Sequence, residues 1–505
     1  MGSPNEVSAP HAPTTESDSI NEKIVLKGSQ IDDVHAESAG WDETSTRKLM
    51  RKIDLTLIPF LSLLYLLSFL DRSNIGNARL DTLERDLNLS PVKLQYNDAL
   101  AVFFPFYVLA EIPSNLGMKR FRPSIWIPSI MVVWAICTTL MGIVQNYPGL
   151  MACRAALGIA EGGLFPGITY YITMWYKRHE CGFRMAIFFS AATAAGAFGG
   201  LLARGILEMR GVAGLSGWRW IFILEGILTF VIAVGAYAIM QDYPSTAKFL
   251  TEEEREEISA RLKRDRSSLA DEFDMKYFYL ALKDWKIWVH MFITIGIYTG
   301  LYSYSLFLPT IINDLGVASS PEMAQLLTVP PYVVACLFCV AAGWYADKLG
   351  QRGIFILGFI CIAIVGLIML MATENSTVRY LGCFLLATGI YPNVPLGVAW
   401  NANNIGGSLK RGVGVAMHVG FGNLGGTMSA YLFLVKDKPR YFPGFGTLLA
   451  CQVMSLILVV FMMIYLRREN ARRNREYKPP SEYTEQEKVA EREKGDNATF
   501  FRYTI

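Results

Sequence analysis

The sequence predicts an all-α membrane protein of twelve transmembrane helices arranged as two six-helix bundles. Three observations carry that expectation. The 505-residue chain is 52% hydrophobic and only 18% charged, with a positive mean hydropathy, which is too apolar for an ordinary soluble protein. Twelve apolar stretches have the length of about 20 residues that crosses a hydrocarbon core of about 30 Å. They fall into two sets of six, separated by a polar interval over residues 241–284.

Taken in order, residues 1–44 are polar, acidic and rich in Ser, Thr and Pro. They read as a disordered cytoplasmic tail and have no apolar stretch of the signal-peptide type. Spans are expected near 53–77, 95–116, 124–144, 149–175, 184–206 and 218–240, making a first bundle over 45–240. In the cytoplasmic interval 241–284, Thr251, Glu252, Glu253 and Glu254 form a capping box, in which Thr and Glu satisfy each other's backbone donors. A charged helix should run from there through about Arg266. Further spans are expected near 285–308, 324–346, 354–373, 378–400, 411–434 and 445–466, giving a second bundle over 285–467 and a charged cytoplasmic tail over 468–505.

Orientation follows from basic residues, which concentrate in cytoplasmic loops. Alternate loops carry Arg47, Lys48, Arg51 and Lys52; Lys119, Arg120 and Arg122; Lys177, Arg178 and Arg184; Lys348 and Arg352; Lys410 and Arg411; and Arg467, Arg468, Arg472, Arg473 and Arg475. Arg79, Arg85, Lys93, Lys436, Lys438 and Arg440 blur the contrast on the other side. Both termini are therefore expected in the cytoplasm. The sequons beginning at Asn88 and Asn375 then fall in outside loops, as a glycoprotein of the plasma membrane requires. Eight cysteines are scattered through apolar runs; Cys336 and Cys339 form a CxxC without a histidine or second pair, so packed thiols are expected and no metal site.

The end of the eighth span carries Gly343, Asp347, Lys348, Gly350 and Arg352. Glycines there permit a tight helix exit, and the carboxylate can meet a neighbouring helix N-terminus or a basic loop residue, latching one conformational state. This spacing resembles GxxxD(R/K)xGxR, the gating-loop signature of the major facilitator superfamily. The equivalent stretch from Gly117 to Pro123 lacks the acidic residue, so gating contacts in the first half must differ. Strings from Leu70 to Ala78, Arg154 to Glu161 with Pro166 and Gly167, and Gly217 to Gly226 are similar to the anion:cation symporter family, in particular its fungal allantoate and nicotinate permease-like branch. Trp400, Asn404, Lys410, Arg411, Gly422, Asn423 and the loop from Lys436 to Tyr441 agree with it.

Ionisable groups in hydrocarbon cost about 2.5–3.5 kcal/mol each, so they are expected where they pair or line a polar path. Asp71 and Arg72 fall toward the outer end of span one, and Arg154 in a similar layer of span four. Glu161 lies on the same face as Arg154, since seven residues nearly complete two turns. Arginine forks suit a carboxylate, so Arg72 and Arg154 are the expected anion-binding residues. Asp71 and Glu161 are the expected proton-exchanging carboxyls, facing one shared aqueous cavity; a fixed ion pair joining spans one and four is the alternative. The resemblance implies transport roles for the aspartate of span one and the arginine and glutamate of span four.

In the second half, Tyr391, Pro392, Asn393 and Pro395 should interrupt span ten at mid-membrane depth, placing Asn393, and Asn423 on the next span, beside the substrate. Interhelical hydrogen bonding by the asparagines is an equal alternative. Tyr298, Tyr302 and Tyr391 are candidates for the cavity wall, against a plain packing role. His290 and His418 read as packing residues. Glycine-rich stretches in spans five and eleven suit helices that slide on one another.

The function expected is proton-coupled uptake of a small organic anion, with nicotinate or another carboxylate vitamin or nitrogen compound implied by the branch resemblance. Efflux of an acidic secondary metabolite is the alternative on the same scaffold. A non-transporting nutrient receptor is the alternative of another class, disfavoured by the lack of a sizeable soluble domain. No P-loop or HExxH is present, so neither an enzyme nor a cofactor is expected, and a net charge of +3 gives no reason for nucleic-acid binding. The expected partners are the anion, protons and the bilayer, with the chain acting as a monomer.

Overall fold

The computed structural model describes residues 41–177, 180–266, 275–484, 486–487 and 491–505. Most of the expected N-terminal tail, Arg178 and residues 267–274 of the central interval lie outside them. Among the described residues the fold is all helical. The spans are Glu43–Leu80, then Gln95–Ala101 continued by Phe103–Arg120, Pro123–Met141, then Tyr147–Glu161 continued by Leu164–Trp175, Cys181–Leu207 and Gly217–Ile239. The second set is Trp285–Asp314, then Pro321–Leu326 continued by Val329–Leu349, Gly353–Ala372, then Ser376–Ile390 continued by Asn393–Asn403, Ser408–Ser429 and Phe442–Glu476.

Spans two, four, eight and ten are each interrupted, and one cause explains all four joints. Pro105, Pro166, Pro331 and Pro395 lack the N–H that would bond the carbonyl four residues earlier, at Ala101, Gly162, Leu327 and Tyr391. Each joint falls at or beside that orphaned carbonyl. Apolar side chains such as Val365 and Ile368 of span nine and Ile457, Phe461 and Ile464 of span twelve point outward from the bundle, as helices bathed in lipid require.

The face carrying residue 43 and Ile505 is termed the near face, and the face carrying Asn88 and Asn375 the far face. The halves meet at both. On the far side Gly76 of span one backs directly onto the Leu306 carbonyl of span seven, an approach that a side chain would block. Asn97 donates to the Ala430 carbonyl at 2.6 Å, and the Tyr431 hydroxyl donates to Asp98 at 2.7 Å. On the near side Gly343 of span eight packs on Ala186 of span five, and Gly182 lies against Asp347 and Arg352. With both faces closed, the arrangement is occluded.

The near face is further dressed by two segments. The helix Glu252–Arg266 starts in the expected capping box, with the Thr251 amide donating to Glu254 at 2.9 Å and the Glu254 amide to the Thr251 hydroxyl at 3.3 Å. It is fastened to the first half by Lys52 to Glu254 at 2.7 Å and by Arg261 to Glu180. Residues 491–505 fold back onto the second half. Asp496 is 1% exposed and accepts from Lys286 at 2.5 Å and Lys410 at 2.6 Å. The Thr504 carbonyl accepts from Trp400 and Asn404, and the Arg352 amide donates to the Ile505 carbonyl at 2.8 Å.

Candidate functional site

Arg72 leaves span one toward span four, where its Nη2 donates to Glu161 Oε1 at 2.5 Å. Both side chains are almost fully withdrawn from the surface, at 5% and 0% exposure. Ser68, one turn earlier on span one, donates its hydroxyl to the same carboxylate oxygen. From the other side, Arg72 Nη1 donates to the Tyr302 hydroxyl at 3.0 Å, which itself donates to Asn423 Oδ1 at 2.5 Å. The chain of contacts therefore runs from span four through span one to spans seven and eleven, and crosses the boundary between the halves.

Aromatic rings enclose this guanidinium. Its carbon lies 5.0 Å from the Phe103 ring centre and 4.9 Å from that of Tyr107, a spacing at which the ring quadrupole attracts the cation. Phe104 meets Tyr302 edge-on at 4.7 Å, and Tyr298 meets Tyr302 at 6.2 Å. Arg154 approaches the same Phe103 ring at 5.1 Å, so that two guanidinium groups share one phenyl. Its Nε donates to the Ala99 carbonyl at 3.0 Å, while Nη1 and Nη2 have no partner. Glu161 Oε2 and Arg72 Nε are also unpartnered. The cluster thus holds spare donors and a spare acceptor in a setting where an unmade hydrogen bond is costly.

Asp71 does not join it, which corrects the expectation of one cavity shared by all four charged residues. Consecutive residues of a helix point about 100° apart. Asp71 is accordingly aimed into the first bundle, where Trp134 donates to its Oδ2 at 2.9 Å and Thr229 at 3.2 Å. Beside it Asn74 donates to Glu225 of span six, so this interior contains a second carboxyl. The expected aqueous setting also differs: Asp71, Arg154 and Glu161 have 0% exposure in this occluded arrangement.

In the second half Asn393 turns back on its own helix and donates to the Gly389 carbonyl at 2.7 Å, the local bond that a proline-broken span leaves available. Tyr391 packs edge-on with Tyr304 and Tyr332 of spans seven and eight. Of the expected cavity residues, the structure therefore brings Tyr302 and Asn423 to Arg72, with Tyr298 behind them, and directs Asn393 and Tyr391 into contacts within the second half. His290 and His418 pack beside Trp400 and Thr294.

At the gating loop, Asp347 and Arg352 pair at 2.5 Å, and both lie at Gly182, in the first turn of span five. The carboxylate thus lies beside a loop base and next to the first turn of a neighbouring helix. Gly350 has φ 64° and ends the helix in the left-handed region, and Lys348 lies over the Trp344 ring at 5.0 Å. Asn88 and Asn375 are exposed on far-face loops; Asn375 Oδ1 caps span ten by accepting from the amides of Thr377 and Val378.

Sequence reasoning passed over Glu111 and the setting of Glu225. The signal existed, since each is an ionisable residue inside an apolar run, and both prove buried at 2% exposure.

The sequence pattern of the Major Facilitator Superfamily matches residues 61–430. An uncharacterised transporter of Schizosaccharomyces pombe is 33% identical over 487 residues, spanning 96% of each chain. The high-affinity nicotinic acid transporter of Saccharomyces cerevisiae is 34% identical over 428 residues, covering 84% of this chain and 78% of that one. Among solved structures, the partially occluded inward-open xylose transporter of E. coli superimposes with a TM-score of 0.60 at 15% identity, over 81% of this chain and 97% of that one. A bacterial homologue of the human lysosomal transporter Spinster gives 0.57 at 17% identity, over 81% and 94%. Both structures speak for the fold.

Proposed function

The chain belongs to the major facilitator superfamily of membrane transporters, and on that premise we propose that it takes up a small organic anion together with protons by alternating access. The observation that carries this reading is the buried Arg72 and Glu161 pair, tied to Tyr302 and Asn423 across the two halves. A guest carboxylate takes the place of Glu161 at the Arg72 fork, and Glu161, displaced from its cation, takes a proton. Return of Glu161 to Arg72 releases the guest. The net charge of the closed centre is then the same with and without the guest, so that the exchange adds no uncompensated charge to a low-dielectric site.

Arg154 offers its two free Nη groups as a second anchor for the anion. Phe103, Tyr107 and Tyr302 favour a guest with a flat, ring-bearing body, and a nicotinic acid transporter stands among the relatives. A small aromatic or heterocyclic monocarboxylate of the nicotinate type is therefore the proposed substrate. Asp71, set beside Glu225 inside the first bundle, is proposed as a second exchangeable proton site that responds to tilting of span one. The two six-helix halves rock on one another. Asp347 and Arg352 latch the near face, which is placed in the cytoplasm of a plasma-membrane protein because the basic loops gather there.

The test is uptake of a panel of labelled carboxylates, nicotinate among them, by cells with and without the chain at two external pH values. Faster uptake at the acidic value, abolished by an uncoupler, is the expected result. Uptake of every carboxylate that ignores both pH and uncoupler would reject proton coupling, and net export down to the same substrates would reverse the direction.

A further inference from the structure

The first half lacks the acidic residue of the loop motif, and a carboxyl of span two meets the second half deeper in the bundle instead. Glu111 lies in the last three turns of Phe103–Arg120, is 2% exposed, and has no hydrogen-bond partner at either carboxyl oxygen. It faces Gly420 of span eleven so closely that a Cβ on that glycine would lie 3.3 Å from Glu111 Oε2. The other seam has the same design with the halves exchanged. Asp347 of span eight faces Gly182 of span five, where a Cβ would lie 2.5 Å from Asp347 Oδ1. Each seam sets a carboxyl of one half against a glycine of the other.

Their chemistry differs. Asp347 has a cation beside it, the Arg352 guanidinium at 2.5 Å. The titratable groups acting on Glu111 are tyrosines: Tyr107 on its own helix, and Tyr298 and Tyr302 from span seven. Span eleven presents Gly420 there, and its His418 is engaged with Thr294. Span four contributes Gly162 and Gly163, packed on the Tyr107 carbonyl and on Ser114. A bare carboxylate in this seam would have no cation and, as the tyrosines stand, no hydrogen bond, a burial that is strongly opposed, whereas a neutral carboxyl fits.

We propose that Glu111 is a proton-carrying gate residue: the seam between spans two and eleven closes on neutral Glu111 and opens as water enters and the carboxyl gives up its proton. The proposal rests on the alternating-access reading and adds to it a proton site separate from Arg72 and Glu161. It also sets a seam closed by a lone carboxyl apart from the one closed by the Asp347 and Arg352 ion pair.

Electron-spin distance measurements on the full-length protein in lipid test it without knowledge of the substrate. Labels are placed at Arg120→Cys, on the exposed end of span two, and Gly412→Cys, which has open space around it on span eleven, with the native cysteines replaced. Between about pH 5 and about pH 8, a range reached by perturbed carboxyls, the parent should gain a longer-distance population as pH rises. Glu111→Gln should lose that gain and keep the short distance throughout. Glu111→Asp, which retains an ionisable group, should keep it with a shifted midpoint, and guards against a misfolded amide variant. A Gln variant that opens with the parent's pH dependence overturns the role of Glu111 while leaving transport untouched. A parent that shows no longer population at any pH overturns the proposed gate, while alternating access stands or falls by the uptake test.

Discussion

At the scale of single residues, the Arg72 fork uses two different nitrogens for two different partners, Glu161 and Tyr302. A lysine offers one ammonium on a flexible stem and cannot reproduce that geometry. Loss of a charge-assisted hydrogen bond is worth about 1.5–3 kcal/mol, so Arg72→Lys is expected to slow anion uptake about ten- to a hundredfold, read as the initial rate with labelled substrate. Glu161→Gln keeps the shape of the site but removes its proton exchange; substrate binding should survive while the pH dependence of uptake flattens. The cost of burying charge made Arg72, Arg154 and Glu161 visible in the sequence. The direction of Asp71 was not, because a step of one residue turns a side chain by about 100°, and only the neighbours Trp134 and Thr229 decide which way it is welcome. Glu111 obeys the same cost rule and was readable in principle, yet its meaning depends on Gly420, a residue more than three hundred positions away.

At the scale of elements, the twelve spans follow from length and hydropathy, and their observed limits lie near the expected ones except that the first helix starts earlier, at Glu43, and the last runs on to Glu476. The joint of span ten was expected from its prolines; those of spans two, four and eight have the same origin but lie in runs whose apolar character hides them. Close helix approach is harder to foresee, since a glycine in sequence does not name the backbone it will meet. Gly76 is the sharpest case, lying against the Leu306 carbonyl. Gly76→Val should disfavour far-side closure by about 1–3 kcal/mol, the usual range for overpacking. The measurement is the labelling rate of a cysteine placed at Ser73, which should rise as the far side opens more often. In the central interval, Thr251→Ala removes the cap of Glu252–Arg266 and should cost that helix about 1 kcal/mol, seen as faster amide exchange in its first turn.

For the whole molecule, the least foreseeable feature is the docking of residues 491–505. In sequence they resemble any charged tail, and the partners of Asp496 are 210 and 86 residues away. Burial pushes the Asp496 carboxyl up, but Lys286 and Lys410 outweigh it and hold it below the ordinary carboxylate range. A lowered value means that docking is fully supported above the unfolded carboxylate value of about 4 and is lost as pH falls through the lower folded one. Asp496→Asn removes one of the two carboxylates that face Lys286 and Lys410, leaving Asp284 as the other, and should weaken docking by about 3 kcal/mol, measured as deprotection of residues 491–505 in hydrogen exchange at neutral pH. Among the described residues this segment is bound to the second half, through Lys286, Arg352, Trp400, Asn404 and Lys410. The helix Glu252–Arg266 is bound to the first half and the connector beside it, through Lys52, Glu180 and Ala247. If the halves rock as proposed, each rides as a passenger on one of them, so a donor dye on one and an acceptor on the other form an optical ruler, able to time single turnovers without a probe in the membrane.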